Sequence, residues 1–379
     1  MARALGAKVL IAVMTAVVCA ASALAQAPAS QRALVLEQQG QWKDAETAWR
    51  QVLAANPRDA VACGHLGLVL AREQDYPAAV DAYRKALALD PKMQGLQLDL
   101  GLALFKQGRL KEAIAPLKAA VAAAPGNPQP RILLGMSYYG TGEFAQAVPE
   151  LQFAVTQAPA NLEMRNVLAQ ACLHARQFAC TLEQFKAIVA VNPNSAQADM
   201  LAGEADDGLN KPDDAITEFE AAEKASPQEP NVHFGLGYLL WKQHKYPEAA
   251  QEFQFELKND PEHAQAMAYL GDTQMKLEKN AEAQATLEKA VELPGAARMA
   301  WVDLGIVLAD AGKNDAAAED FRRAIAMDPQ QVDAHWRLAR LLQAEGKTGE
   351  ARAEFARAAA LHQQQDEGLV KELTPGKSQ

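Results

Sequence analysis

The side chains best suited to metal ligation or proton transfer near neutral pH are the seven histidines: His65, His174, His233, His244, His263, His335 and His362. They are scattered, and none falls into a His-Glu-x-x-His pattern or a close Cys/His set, so no zinc site is expected. Gly135-Met136-Ser137-Tyr138-Tyr139 begins like the elbow that presents a nucleophilic serine, but it lacks the second glycine that the sharp turn requires. Gly235-Leu236-Gly237 has no third glycine and no preceding strand, so it is not a phosphate cradle. Asp206-Asp207-Gly208 is acidic enough for calcium, yet the alternating ligands and closing Glu of a calcium loop are missing. The expectation is a protein without catalytic, cofactor or metal chemistry. Its work must then lie in binding.

The elements that would carry such a surface repeat themselves. Pro57, Pro91, Pro125, Pro159, Pro193, Pro227 and Pro261 are spaced by 34 residues, and Pro294 and Pro329 continue the series with small slips. Nine residues after most of them comes a Leu-Gly step or a close substitute: Leu66-Gly67, Leu100-Gly101, Leu134-Gly135, Leu168-Ala169, Ala202-Gly203, Leu236-Gly237, Leu270-Gly271, Leu304-Gly305 and Leu338-Ala339. A column of alanines follows, from Ala45 and Ala79 to Ala317 and Ala351, with Thr181 as its exception. Four residues later stands a large apolar residue: Trp49, Tyr83, Leu117, Leu151, Phe185, Phe219, Phe253, Leu287, Phe321 and Phe355. Small residues on two helices let the backbones approach, and the large one fills the layer between pairs. Gly108, Gly142, Asn210, Gly312 and Gly346 suit left-handed turns between the helices, and each proline is expected to start the next helix.

This pattern resembles the tetratricopeptide repeat over residues 30–362, in ten copies with the first truncated at its start. The fold implied is all-α, a right-handed superhelical solenoid of about ten 34-residue helix-turn-helix repeats. Residues 26–362 form the solenoid, and 363–379 a C-terminal capping helix and frayed tail. Copy six departs from the pattern, with Ala202 for Leu and the acids Glu204, Asp206, Asp207, Asp213 and Asp214. It is expected to be a weakly packed copy with a solvated acidic face.

Residues 1–25 read as a secretory signal peptide. Arg3 and Lys8 precede an uncharged run from Val9, and Ala23-Leu24-Ala25 makes an A-x-A exit before Gln26. An uncleaved anchor is the rival reading, made poor by the Ala-rich run. Val18 before Cys19 argues against a lipoprotein. The expected location is the periplasm or the exterior. Losing Arg3 and Lys8 would shift the net charge from −10 to −12, which argues against a nucleic-acid partner. In the repeat, Cys172 lies near the end of a first helix and Cys180 near the start of the second. They are expected to be a disulfide or two packed thiols, and Cys63 a small buried residue.

In the family, first helices line a concave face, and ligands contact chiefly positions 2, 5, 9, 12 and 13 of each copy. The resemblance therefore implies partner contacts at Leu98, Leu102 and Phe105, at Ile132, Met136 and Tyr139, and at Asn166, Gln170 and His174. In the later copies it implies Asn231, Phe234, Tyr238, Trp241 and Lys242, then Val302, Ile306, Trp336 and Arg340. The implied groove is apolar and aromatic, suited to a peptide or protein partner. Gly64, Leu68, Leu98 and Leu102 stand where the carboxylate clamp of chaperone-binding members needs Lys and Asn, so that role is not expected. The function expected is a non-enzymatic interaction scaffold of the bacterial envelope. The alternative is an accessory role in envelope polysaccharide export or modification.

Overall fold

The computed structural model describes residues 28–373, with side chains to residue 367. The signal peptide expected over 1–25 and the tail from Thr374 lie outside the described residues. Among the described residues there are twenty helices and no strand, an all-α solenoid of helix-turn-helix repeats.

The chain divides into two compact units, one ending at Gln177 and the other beginning at Phe178. The first holds α1 (Ala29–Gln38), α2 (Trp42–Ala55), α3 (Ala60–Arg72), α4 (Tyr76–Leu89), α5 (Leu96–Lys106), α6 (Leu110–Ala123), α7 (Pro128–Gly140), α8 (Phe144–Gln157) and α9 (Leu162–His174). The second holds α10 (Phe178–Val189), α11 (Ala196–Gly208), α12 (Pro212–Ala225), α13 (Val232–Lys242), α14 (Tyr246–Asn259) and α15 (Ala264–Lys276). It continues with α16 (Asn280–Glu292), α17 (Arg298–Asp310), α18 (Asn314–Met327), α19 (Val332–Ala344) and α20 (Thr348–Leu373). Residues 363–373 are the unbroken end of α20 rather than a separate helix.

The repeated columns act as their chemistry requires. The alanines from Ala45 to Ala351 are buried, as is Thr181 at their exception. A Cβ placed on Gly237 would stand 2.8 Å from the Phe253 ring, and one on Gly101 2.6 Å from Leu117. Each glycine is therefore the seat of its own copy's large residue, and side-chain volume is kept constant across the layer.

The prolines do something other than start helices. Asn56 ends α2 with φ −137° and ψ 87°, and Asp90, Ala124, Ala158, Ser226, Asp260 and Asp328 end their helices in similarly extended backbone. Each of these stands immediately before a proline of the 34-residue series. Proline's Cδ clashes with a preceding α-helical residue, so the proline stops a helix and the next begins a few residues on. Asp59, Asn161 and Ser195 then cap the next helix, each accepting a backbone N–H in the first turn. The turn inside each copy holds one left-handed residue. Gly108, Gly142, Asn210, Gly312 and Gly346 fill that place as expected, but Gln74, Arg176, His244 and Glu278 adopt the same conformation.

Copy six is better packed than its sequence suggests. Leu201, Ala202, Gly203 and Ala205 are buried, and so are Asp199 and Asp206. Asp206 lies 3.6 Å from Lys211, and Asp207 holds Lys242 of the next copy at 2.5 Å. The acids of α11 are thus partly engaged in packing and ion pairs, and Gly203 seats the Phe219 ring as the glycines of other copies seat their large residues.

Candidate protein-binding surface

Within each unit the first helices of successive copies touch: α3 with α5 and α5 with α7, then α11 with α13 and so on to α17 with α19. Their outward side chains therefore form a continuous strip in each unit, and most residues expected to meet a partner lie on it.

In the first unit, Leu98 and Leu102 line a hollow of about 450 Å³ together with Leu68, Arg72, Asp99 and Lys106. Its lining mixes apolar side chains with charges of both signs. Burial pushes the Asp99 carboxyl above the ordinary carboxylate range, and Arg72 pulls it partly back. Phe105, Ile132 and Met136 are half-buried. Tyr139 donates its hydroxyl to Oε1 of Gln170, which joins two of the expected residues from neighbouring copies. Phe144 stacks on His174 at 4.6 Å and meets Tyr139 edge-on at 5.6 Å, while Asn166 is half-buried on the same helix as Gln170.

In the second unit, Tyr238 and Trp241 stack with ring centres 6.2 Å apart and planes 17° from parallel. One turn of α13 separates them, so the i, i+3 relation is realised as a single platform. Sequence reasoning missed its third member. Tyr269, from α15, packs edge-to-face on both rings at 5.5 and 5.2 Å. It occupies a position outside the family's usual contact set, and only its aromatic character hinted at it. The Trp241 indole N–H donates to Oδ2 of Asp272 at 2.6 Å, which fixes the platform across two copies. Lys242 lies 5.5 Å from the Tyr238 ring centre.

Phe234 is drawn further inward, against Phe253, His263 and Tyr269. Its backbone N–H, and that of Asn231, donate to the two carboxylate oxygens of buried Glu256 at 3.0 and 3.1 Å. That carboxylate from α14 caps α13, because Asn231 is left-handed and its own side chain does not.

Val302 is a correction. It is buried with Ala324 and Ala334 and belongs to the core, since its small side chain fills the α17–α19 contact. Trp336, by contrast, is 43% exposed, with the Arg340 guanidinium 4.8 Å above its ring. Trp336, Arg337, Arg340 and Ile306 share a hollow of about 360 Å³.

The two motif-like stretches are packed into their helices. Ser137 is buried, and its hydroxyl donates to the carbonyl of Leu133 in its own helix at 2.7 Å. Gly235 and Gly237 are packing glycines against Phe219 and Phe253. Among the described residues no helix is long and apolar enough to cross a membrane.

The family profile described as tetratricopeptide repeat matches residues 30–94, 66–128, 132–179, 182–230, 206–264, 234–297 and 302–366. No curated protein matches the sequence. Among solved structures, a tetratricopeptide repeat protein from Parabacteroides merdae is 20% identical, covers 65% of this chain and 97% of its own, and superposes with a TM-score of 0.51. The APC/C hetero-tetramer Cut9-Hcn1 is 14% identical over 87% of this chain and 79% of its own, with a TM-score of 0.50. At these identities the likeness is one of fold.

Proposed function

The chain belongs to the tetratricopeptide repeat family, and on that premise we propose that it is a non-enzymatic scaffold of the bacterial envelope which holds a peptide or protein on its first-helix surface. Members of the family commonly serve as protein–protein interaction scaffolds. The observation that carries the reading is Trp336: a large aromatic residue kept exposed on the first-helix strip, with Arg340 stacked on it and a hollow beside it. Such a pair has the composition of a binding hot spot. The Tyr238, Trp241 and Tyr269 platform and the Leu98 and Leu102 hollow extend the same kind of surface.

The acidic net charge favours a polypeptide over nucleic acid. The periplasmic or extracellular location rests on the leader read in residues 1–25, and the bridge between Cys172 and Cys180 belongs with it, since an oxidising compartment favours disulfides. Peptide mapping without reductant tests the bridge, and alkylation of both thiols in the exported protein would refute it.

Crosslinking in the native compartment followed by mass spectrometry tests the function. The Trp336→Ala/Arg340→Ala chain is expected to lose the polypeptide crosslinked by the wild type. An unchanged crosslinking pattern removes this surface from the proposal.

A further inference from the structure

Three copies build the same hydrogen-bonded contact between their two helices, a basic side chain on the first and a glutamate on the second. Arg131 meets Glu150 at 3.2 Å, His233 meets Glu252 at 2.7 Å, and His335 meets Glu354 at 2.6 Å, each pair 19 residues apart in sequence. In two of them the matching residue of the preceding copy is apolar: Val121 before Arg131, and Ile325 before His335. In the third it is Glu223, whose Oε1 lies 3.9 Å from Nδ1 of His233. Copy seven therefore sets two carboxylates against one imidazole. Among the described residues no lysine or arginine forms an ion pair with either.

We propose that Glu223, His233 and Glu252 form a binding site for a divalent transition-metal ion, suited to Zn2+, that clamps copy six to copy seven. The three ligand atoms already lie within 4.8 Å of one another. Zinc bonds of about 2.0–2.2 Å to nitrogen and oxygen set ligand atoms roughly 3.3–3.5 Å apart in a tetrahedron. The His233–Glu252 contact must open a little and Glu223 must close. Glu223 is free to do so, because its side chain is one third exposed whereas those of His233 and Glu252 are 6% and 13% exposed. The fourth position would face solvent on the Glu223 side and take a water.

The proton balance is simple. If Nδ1 of a neutral ring carries the proton shared with Glu252, the metal takes the Nδ1 lone pair on binding and that proton moves to Nε2. An imidazolium releases one proton to solvent instead. The imidazole with two carboxylates selects a borderline ion over Ca2+ or Mg2+, which prefer all-oxygen shells. The site has no linear motif, because its ligands come from three helices, α12, α13 and α14, at spacings that match no metal-binding pattern in sequence.

The test uses the full, untagged chain, stripped with chelator and titrated with Zn2+ by calorimetry and by thermal melting. The expected result is one ion per chain and a raised melting temperature. Glu223→Val restores the residue type found before Arg131 and keeps the His233–Glu252 pair, so the fold persists by circular dichroism while zinc affinity falls at least tenfold. His335→Gln, at the pair without a third ligand, leaves affinity unchanged. Co2+ in place of Zn2+ should give visible absorption of a four-coordinate site in the wild type and lose it in Glu223→Val. Equal zinc binding by the wild type and Glu223→Val, loss of binding in His335→Gln, or no binding at 100-micromolar-order zinc would each overturn the proposal.

Discussion

The indole N–H of Trp241 donates to Oδ2 of Asp272 across 2.6 Å, from the first helix of one copy to the first helix of the next. The bond fixes a half-buried ring with a carboxylate that is itself buried. Asp272→Ala leaves the indole donor unmet in a part-buried place, at a cost of up to about 1–3 kcal/mol. Denaturant unfolding should show that loss, with Asp272→Asn falling between. An Asp272→Ala chain as stable as the wild type would mean that water meets the indole equally well.

The alignment of copies can be tested at two adjacent residues of α14. Ala249 is fully buried at the helix crossing, and Glu248 is exposed beside it. Ala249→Phe should overpack the crossing and cost roughly 1–3 kcal/mol, while Glu248→Phe should change the melting temperature little. Equal shifts would sink the alignment.

The left-handed turns give a prediction of opposite sign at two equivalent positions. Glu278 holds φ 59° and Gly312 φ 73°. A side chain in that conformation costs about 1–2 kcal/mol, and glycine's added freedom in the unfolded chain returns about 0.4–1 kcal/mol of any gain. Glu278→Gly should therefore stabilise the chain slightly, and Gly312→Ala should destabilise it. Thermal melts showing both variants destabilised would place the strain elsewhere.

Asp303 is buried on α17, and one of its carboxylate oxygens has no partner among the described residues. Burial, with Asp272 nearby, pushes its carboxyl up to about 7. Between about pH 4 and pH 7 the folded chain keeps a proton that the unfolded chain gives up, so this group lowers stability as pH rises through that window. Asp320, pushed up to about 6 by burial, acts with the same sign. Asp303→Asn should be more stable than the wild type at pH 8, by about 1 kcal/mol or more, with the difference shrinking toward pH 5. Parallel stability curves for the two chains would remove Asp303 as the cause.

Sequence alone determined the repeat, because its causes are local and recur every copy. A buried alanine at each crossing, a glycine under each large residue and a proline ending each pair are steric demands that any copy must meet, and so they surface as periodic columns. The role of the prolines was legible in place but not in mechanism: their effect falls on the residue before them, as Asn56 and Asp260 show. What only the tertiary structure decided is which side chains meet across helices. Tyr269 joins Tyr238 and Trp241, Glu256 caps α13, Val302 turns inward while Trp336 turns outward, and Glu223 reaches His233. These depend on side-chain direction and on which neighbour fills the space, quantities that a 34-residue period averages away. The period names the scaffold, and the departures from it, seen in three dimensions, mark where this chain has chemistry of its own.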